Sequence, residues 1–123
     1  PYSRMTAIDL NRGEHAWMRP NGDGNRYRDH PMLRNLDLPA LGGEGHGGPV
    51  LTKTLLISAL TAGGTEDGPR LVARDKLTGD IVGSVDLPGG AIGTPMTYMH
   101  EGTQYIALTV GGVVPELVAL ALP

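Results

Sequence analysis

The strongest constraint on this chain is a short unit that it uses twice. Ala7-Ile8-Asp9-Leu10-Asn11-Arg12-Gly13-Glu14-His15-Ala16-Trp17 is followed, 66 positions on, by Ala73-Arg74-Asp75-Lys76-Leu77-Thr78-Gly79-Asp80-Ile81-Val82-Gly83. Ala, Asp and Gly keep the same offsets in both copies. Each copy reads as strand, Asp-containing turn with Gly, strand. A hairpin reused along a chain marks a repeat architecture, whose units cover their apolar faces by stacking on neighbours.

The rest of the chain agrees with many turns and few long helices. It has 19 Gly and 10 Pro in 123 residues, which cut it into short segments. With no Phe, one Trp and four Tyr, it has few of the side chains that bury the most area. One domain, or a piece of a larger one, fits this length.

Met5 to Leu10 and Glu14 to Met18 read as paired strands, with Trp17 on the buried side. Pro20 to Gly48 reads as an excursion loop, holding one short helical turn near Pro31 to Leu36 with Asp29 as its cap. Pro49 to Leu60 reads as two strands around Lys53-Thr54. Arg70 to Asp75 and Asp80 to Leu87 form the second copy of the hairpin. Thr94 to Met99 and Gln104 to Val110 pair across His100 to Thr103, and Glu116 to Leu122 is a last strand. These nine or so short strands make the chain all-β. Four antiparallel strands followed by a Gly-rich crossing suit a propeller blade. The expected divisions are 1–19 (outer strands of one blade), 20–48 (excursion loop), 49–90 (one blade) and 91–123 (last blade).

Several function classes find no support. The net charge is −3 and the arginines are dispersed among acidic residues, which speaks against a nucleic-acid partner. There is no cysteine for a disulfide or thiolate site. No apolar run is long enough to cross a bilayer, and no secretory leader is read. His15, His30, His46 and His100 lack metal-ligand spacing. Asn21-Gly22-Asp23-Gly24-Asn25 has the polar start of a calcium loop without its closing Glu, so it reads as a polar turn. No serine has a Gly-x-Ser-x-Gly context.

Five blocks, in order, resemble a known family. They are Gly47-Gly48-Pro49-Val50-Leu51-Thr52, the Ala73-x-Asp75-x-x-Thr78-Gly79 unit, Gly93-Thr94-Pro95-Met96-Thr97-Tyr98 with Gly102-x-Gln104-Tyr105-Ile106, Val110-Gly111-Gly112, and Leu117 to Pro123. Together they resemble the C-terminal part of the pyrroloquinoline quinone (PQQ) dependent dehydrogenases, above all the membrane-type glucose, sugar, polyol and quinate enzymes. The resemblance implies an eight-bladed propeller, of which this chain supplies about two and a half blades. It also implies tryptophan docking between blades. Trp17 fits that motif, and Gly83 stands where the second copy would place its Trp.

The resemblance implies, further, an oxidoreductase acting on sugar or polyol hydroxyls in the periplasm. Its catalytic aspartate and calcium ligands would lie upstream, so this chain alone is expected to be inactive. The family places PQQ at the inner ends of the blades. His46, Gly47 and Gly48 match that rim, as do Gly111, Gly112 and Val113. Val113 departs from a His or Trp found in relatives. The glycines also read as plain strand-crossing turns, and His46 also reads as a solvated loop residue. A second function class stays open: a non-catalytic propeller segment that associates with copies of itself through open strand edges.

Overall fold

The structure, a computed structural model, describes residues 2–24, 28–43, 47–62 and 68–122. Strands dominate these residues. β1 (Arg4–Asp9) and β2 (Glu14–Pro20) form a two-stranded first sheet. β3 (Val50–Leu51), β4 (Leu55–Leu60), β5 (Arg70–Asp75) and β6 (Ile81–Asp86) form a four-stranded middle sheet in that order. β7 (Met96–His100), β8 (Thr103–Val110) and β9 (Glu116–Ala121) form a three-stranded last sheet. Every strand pairing is antiparallel. The all-β expectation holds, and the sheets follow one another along the chain.

The two copies of the repeated unit fold alike because their turn chemistry is alike. Asp9 Oδ1 accepts from the backbone N–H of Asn11 at 2.9 Å and of Arg12 at 3.3 Å. Asp75 Oδ1 accepts from Leu77 at 2.7 Å and Thr78 at 3.0 Å. Such an Asx turn satisfies the tip without strand partners. Gly13 and Gly79 then close the turns at φ 69° and 75°, where a Cβ is disfavoured. The registers also match: Ala7 opposes Trp17, and Ala73 opposes Gly83. Each ladder shifts at the next residue, after Ala7 and after Ala73. The β7–β8 hairpin turns instead on Glu101 and Gly102, both at positive φ, as its two-residue loop requires.

The core lies between the middle and last sheets. Ile57, Ala59, Leu71 and Leu87 from one side meet Ile106, Leu108 and Val110 from the other, all buried. Strand alternation sets this face. On β5, Leu71 and Ala73 pack into this core, while Arg70 and Arg74 take the other face, toward the first sheet. Truncating one of the large core side chains to Ala costs about 2–5 kcal/mol.

The excursion loop is closed at its base by backbone pairing rather than left open. Gly42 N–H donates to Gly22 O at 3.1 Å, and Leu41 N–H to Asp23 O at 3.0 Å. Ser3 Oγ donates to Gly43 O. Inside the loop, Arg34 N–H donates to His30 O at 3.2 Å, forming the expected helical turn. The cap differs from expectation. His30 Nδ1, not Asp29, accepts from Met32 N–H at 3.3 Å, because the ring folds back over its own turn.

Candidate functional site

The first and middle sheets are joined at Trp17. Its indole is 8% exposed and stacks on the Lys76–Gly79 turn. Nε1 donates to Lys76 O at 2.9 Å. A Cβ on Gly79 would stand 2.6 Å from the indole Cδ2 and Cε3, so only glycine admits this approach. Beside it, Arg19 Nη2 pairs with Asp80 Oδ1 at 3.0 Å. Arg74 reaches across from β5, donating to Gly79 O at 3.0 Å and Pro20 O at 3.2 Å. The Asp80 carboxyl is held below the usual range, first by the Thr78 hydroxyl and then by Arg19. Arg74 is lowered by burial, then by repulsion from Arg70 and Arg19. At the other seam the docking residue is missing. A Cβ added to Gly83 meets nothing within 4 Å, and the residue borders an apolar groove of about 310 Å³ shared with Leu120 and Leu122.

The rim glycines gather at one end of the middle and last sheets. β3 and β7 begin there, and β6 and β8 end there. A Cβ on Gly47 would come within 2.6 Å of Gly93 O. Gly48 N–H donates to Thr94 Oγ1 at 3.1 Å, and its own missing Cβ would sit 2.9 Å from that oxygen. Gly111 N–H donates to Gly90 O at 2.7 Å, while a Cβ on Gly89 would collide with Gly111 O. The absent side chains of Gly47, Gly48 and Gly89 thus make room for neighbouring protein.

Gly112 and Val113 are more open. Gly112 is exposed, and Val113 is completely exposed at 105%. With Gly111, Pro88, Val114 and Glu116 they border a cavity of about 280 Å³. Gly47 and Gly48 lie outside its wall. His46 lies outside the described residues.

The Gly93–Ile106 block is an interlocked hairpin. Gln104 Nε2 donates to Thr97 Oγ1 at 2.8 Å, and Thr97 Oγ1 donates to Tyr105 O at 3.0 Å. Tyr98 and Tyr105 stack with centroids 5.2 Å apart. These contacts account for Thr97, Tyr98, Gln104 and Tyr105 within the block. A family model described as the β-propeller domain of glucose/ethanol/alcohol PQQ dehydrogenases matches residues 1–106.

The chain belongs to this family of quinoprotein dehydrogenases. It is 36% identical to the glycerol dehydrogenase large subunit of Gluconobacter thailandicus, over the whole of this chain and 17% of that protein. It is 56% identical to subunit 1 of the methanol dehydrogenase [cytochrome c] of Methylobacterium organophilum, over 39% of this chain and 8% of that protein. Its fold is similar to that of the quinohemoprotein alcohol dehydrogenase of Comamonas testosteroni, with a TM-score of 0.58, at 23% identity over 88% of this chain and 12% of that one. The quinoprotein chain therefore spans about a sixth of the length of its glycerol relative. Its three sheets are parts of propeller blades.

PQQ is a planar quinone bearing three carboxylates. A complete seat for it needs donors for that charge. The wall of the Gly112–Val113 cavity has one carboxylate, Glu116, and no cation. By themselves the described rim residues, with the Glu116 carboxylate beside them, do not fit the charged edge of the quinone. Among the described residues, no group of three or more His, Asp or Glu is placed to hold a metal ion. None forms a helix long and apolar enough to cross a membrane.

The seam residues Arg19, Arg74 and Asp80 were not legible as a group. The available signal was Arg70 and Arg74 on one face of a strand whose other face is apolar, a departure from apolar-in patterning.

Proposed function

We propose that this chain is the C-terminal propeller portion of a PQQ-dependent dehydrogenase that oxidises sugar or polyol hydroxyls in the periplasm. What supports this is the family match through residues 1–106 together with similarity to a glycerol dehydrogenase over the whole chain. On this reading residues 1–19 are outer strands of one blade, 49–90 one blade and 91–123 the last. His46, Gly47, Gly48, Gly111, Gly112 and Val113 would stand at the inner rim and present backbone and one apolar side chain to PQQ. The bound cofactor would supply the redox chemistry, and the protein its position. The catalytic aspartate and the calcium ligands would come from upstream blades, as would the cations that meet the quinone's carboxylates.

The decisive assay mixes the isolated chain with PQQ, calcium and either glucose or glycerol. No turnover is expected, whereas the full-length protein turns over. Activity from the isolated chain defeats the reading. Loss of activity from the full-length protein after Val113→Glu, with its folding intact, is the expected positive sign, because a carboxylate there would repel the quinone.

A second reading, self-association, is favoured by one observation. The face of the last sheet turned away from the core exposes Met96 (57%), Tyr98 (39%) and Leu117 (72%). Apolar groups on an open sheet face seek cover. Light scattering of the isolated chain at micromolar concentration separates the two: a clean monomer removes this reading.

A further inference from the structure

Between the first and middle sheets lies a cavity of about 450 Å³, bordered by Arg19, Asp23, Arg70, Arg74 and Asp80. Its charge does not balance. Asp80 is paired with Arg19 at 3.0 Å, and Asp23 with Arg28 at 3.0 Å. Arg70 and Arg74 are left. Among the described residues, no carboxylate lies within 4.0 Å of either guanidinium. Arg74 is 3% exposed, and its two Nη atoms donate to main-chain carbonyls, not to an anion. The Nε atoms of both arginines are buried without a hydrogen-bond partner.

Arg74 is buried and Arg70 half-buried, and cations withdrawn from water are ordinarily paired, because a lone charge there is costly. Buried N–H donors are ordinarily satisfied as well. Two like charges on one face of β5 with unmet donors on both form half of a recognition site. The missing half must carry negative charge and several acceptor oxygens, which is the chemistry of an oxyanion. The cavity exceeds the roughly 30 Å³ share of one water many times over.

We propose that this cavity binds an oxyanion, a carboxylate or phosphate-like group, between Arg70 and Arg74. The group comes either from a free anion or from an acidic side chain elsewhere in the full-length protein. Both sources use the same two guanidiniums, and both would tie the first sheet to the middle one beneath Trp17.

The experiment uses the purified full-length protein with selenate as the probe, at fixed ionic strength balanced with chloride. For a free-anion site, the thermal midpoint of so large a protein should rise by roughly 1 °C at tenfold the Kd. The shift should vanish in Arg70→Gln, and crystals should show an anomalous selenium peak within hydrogen-bonding reach of both arginines. Arg70→Gln is the primary variant because Arg74 also holds Gly79 and Pro20. Arg74→Lys, which keeps the charge, should weaken selenate binding at least fivefold. For a side-chain source, selenate should shift nothing, and the crystal structure should show a carboxylate oxygen within 4 Å of Arg70 or Arg74. Absence of both the selenate shift and such a carboxylate overturns the proposal, whatever Arg70→Gln does to stability. A selenate shift that survives unchanged in both variants overturns it too.

Discussion

Gly13 and Gly79 offer a matched pair of mutations that isolates the docking of Trp17. Both close the same Asp-capped turn, at φ 69° and 75°. A side chain at either must adopt the left-handed region, which costs about 1 kcal/mol. At Gly13 that is the whole cost, since a Cβ there meets nothing within 4 Å. At Gly79 the same methyl would lie 2.6 Å from two indole carbons and 3.0 Å from Arg19 Cγ. Ordinary carbon contacts are about 3.5–4.0 Å. The indole must back away, loosening its bond to Lys76 O, and overpacking of this kind costs about 1–3 kcal/mol. Gly13→Ala should therefore cost about 1 kcal/mol, and Gly79→Ala about 2–4 kcal/mol. Urea unfolding followed by far-ultraviolet circular dichroism measures both, with unchanged slope confirming that stability alone has moved. In a Trp17→Ala background the cost of Gly79→Ala should fall to that of Gly13→Ala, a coupling of about 1–3 kcal/mol. Equal costs in the Trp17-containing chain, or a Gly79→Ala cost that persists without the indole, would refute the docking argument.

Two further outcomes follow from the same geometry. The Asp80 carboxyl is depressed by the Thr78 hydroxyl and then by Arg19, so its contribution is complete above its ordinary value near 4 and fades as pH falls through the lower folded-state value. Asp80→Asn should accordingly flatten the acid limb of the stability profile and leave its shape above about pH 5 unchanged, as read by thermal midpoints between pH 2 and 7. Ile106→Ala, at 4% exposure in the core between the middle and last sheets, should destabilise by about 2–5 kcal/mol in the same urea assay, whereas a loss under 1 kcal/mol would mean that those two sheets do not form a packed core.

Turn chemistry was readable in the sequence because it is local. Asp9, Asp75, Gly13 and Gly79 act on neighbours two to four residues away, so the hairpins could be placed without knowing what surrounds them. The cap at His30 escaped because a ring nitrogen folding onto its own turn leaves no pattern that separates it from Asp29.

By itself, then, the order of residues determined a run of short antiparallel hairpins and the unit they repeat. Only the packed chain decided where those hairpins meet. Trp17 finds Lys76, 59 positions on, and Gly48 finds Thr94, 46 positions on. Arg70 and Arg74 become an unbalanced pair only when Asp80 and Asp23 are each drawn to another arginine. Such contacts depend on how one sheet is set against the next, and that setting comes from the whole buried surface together, which no single stretch of sequence encodes.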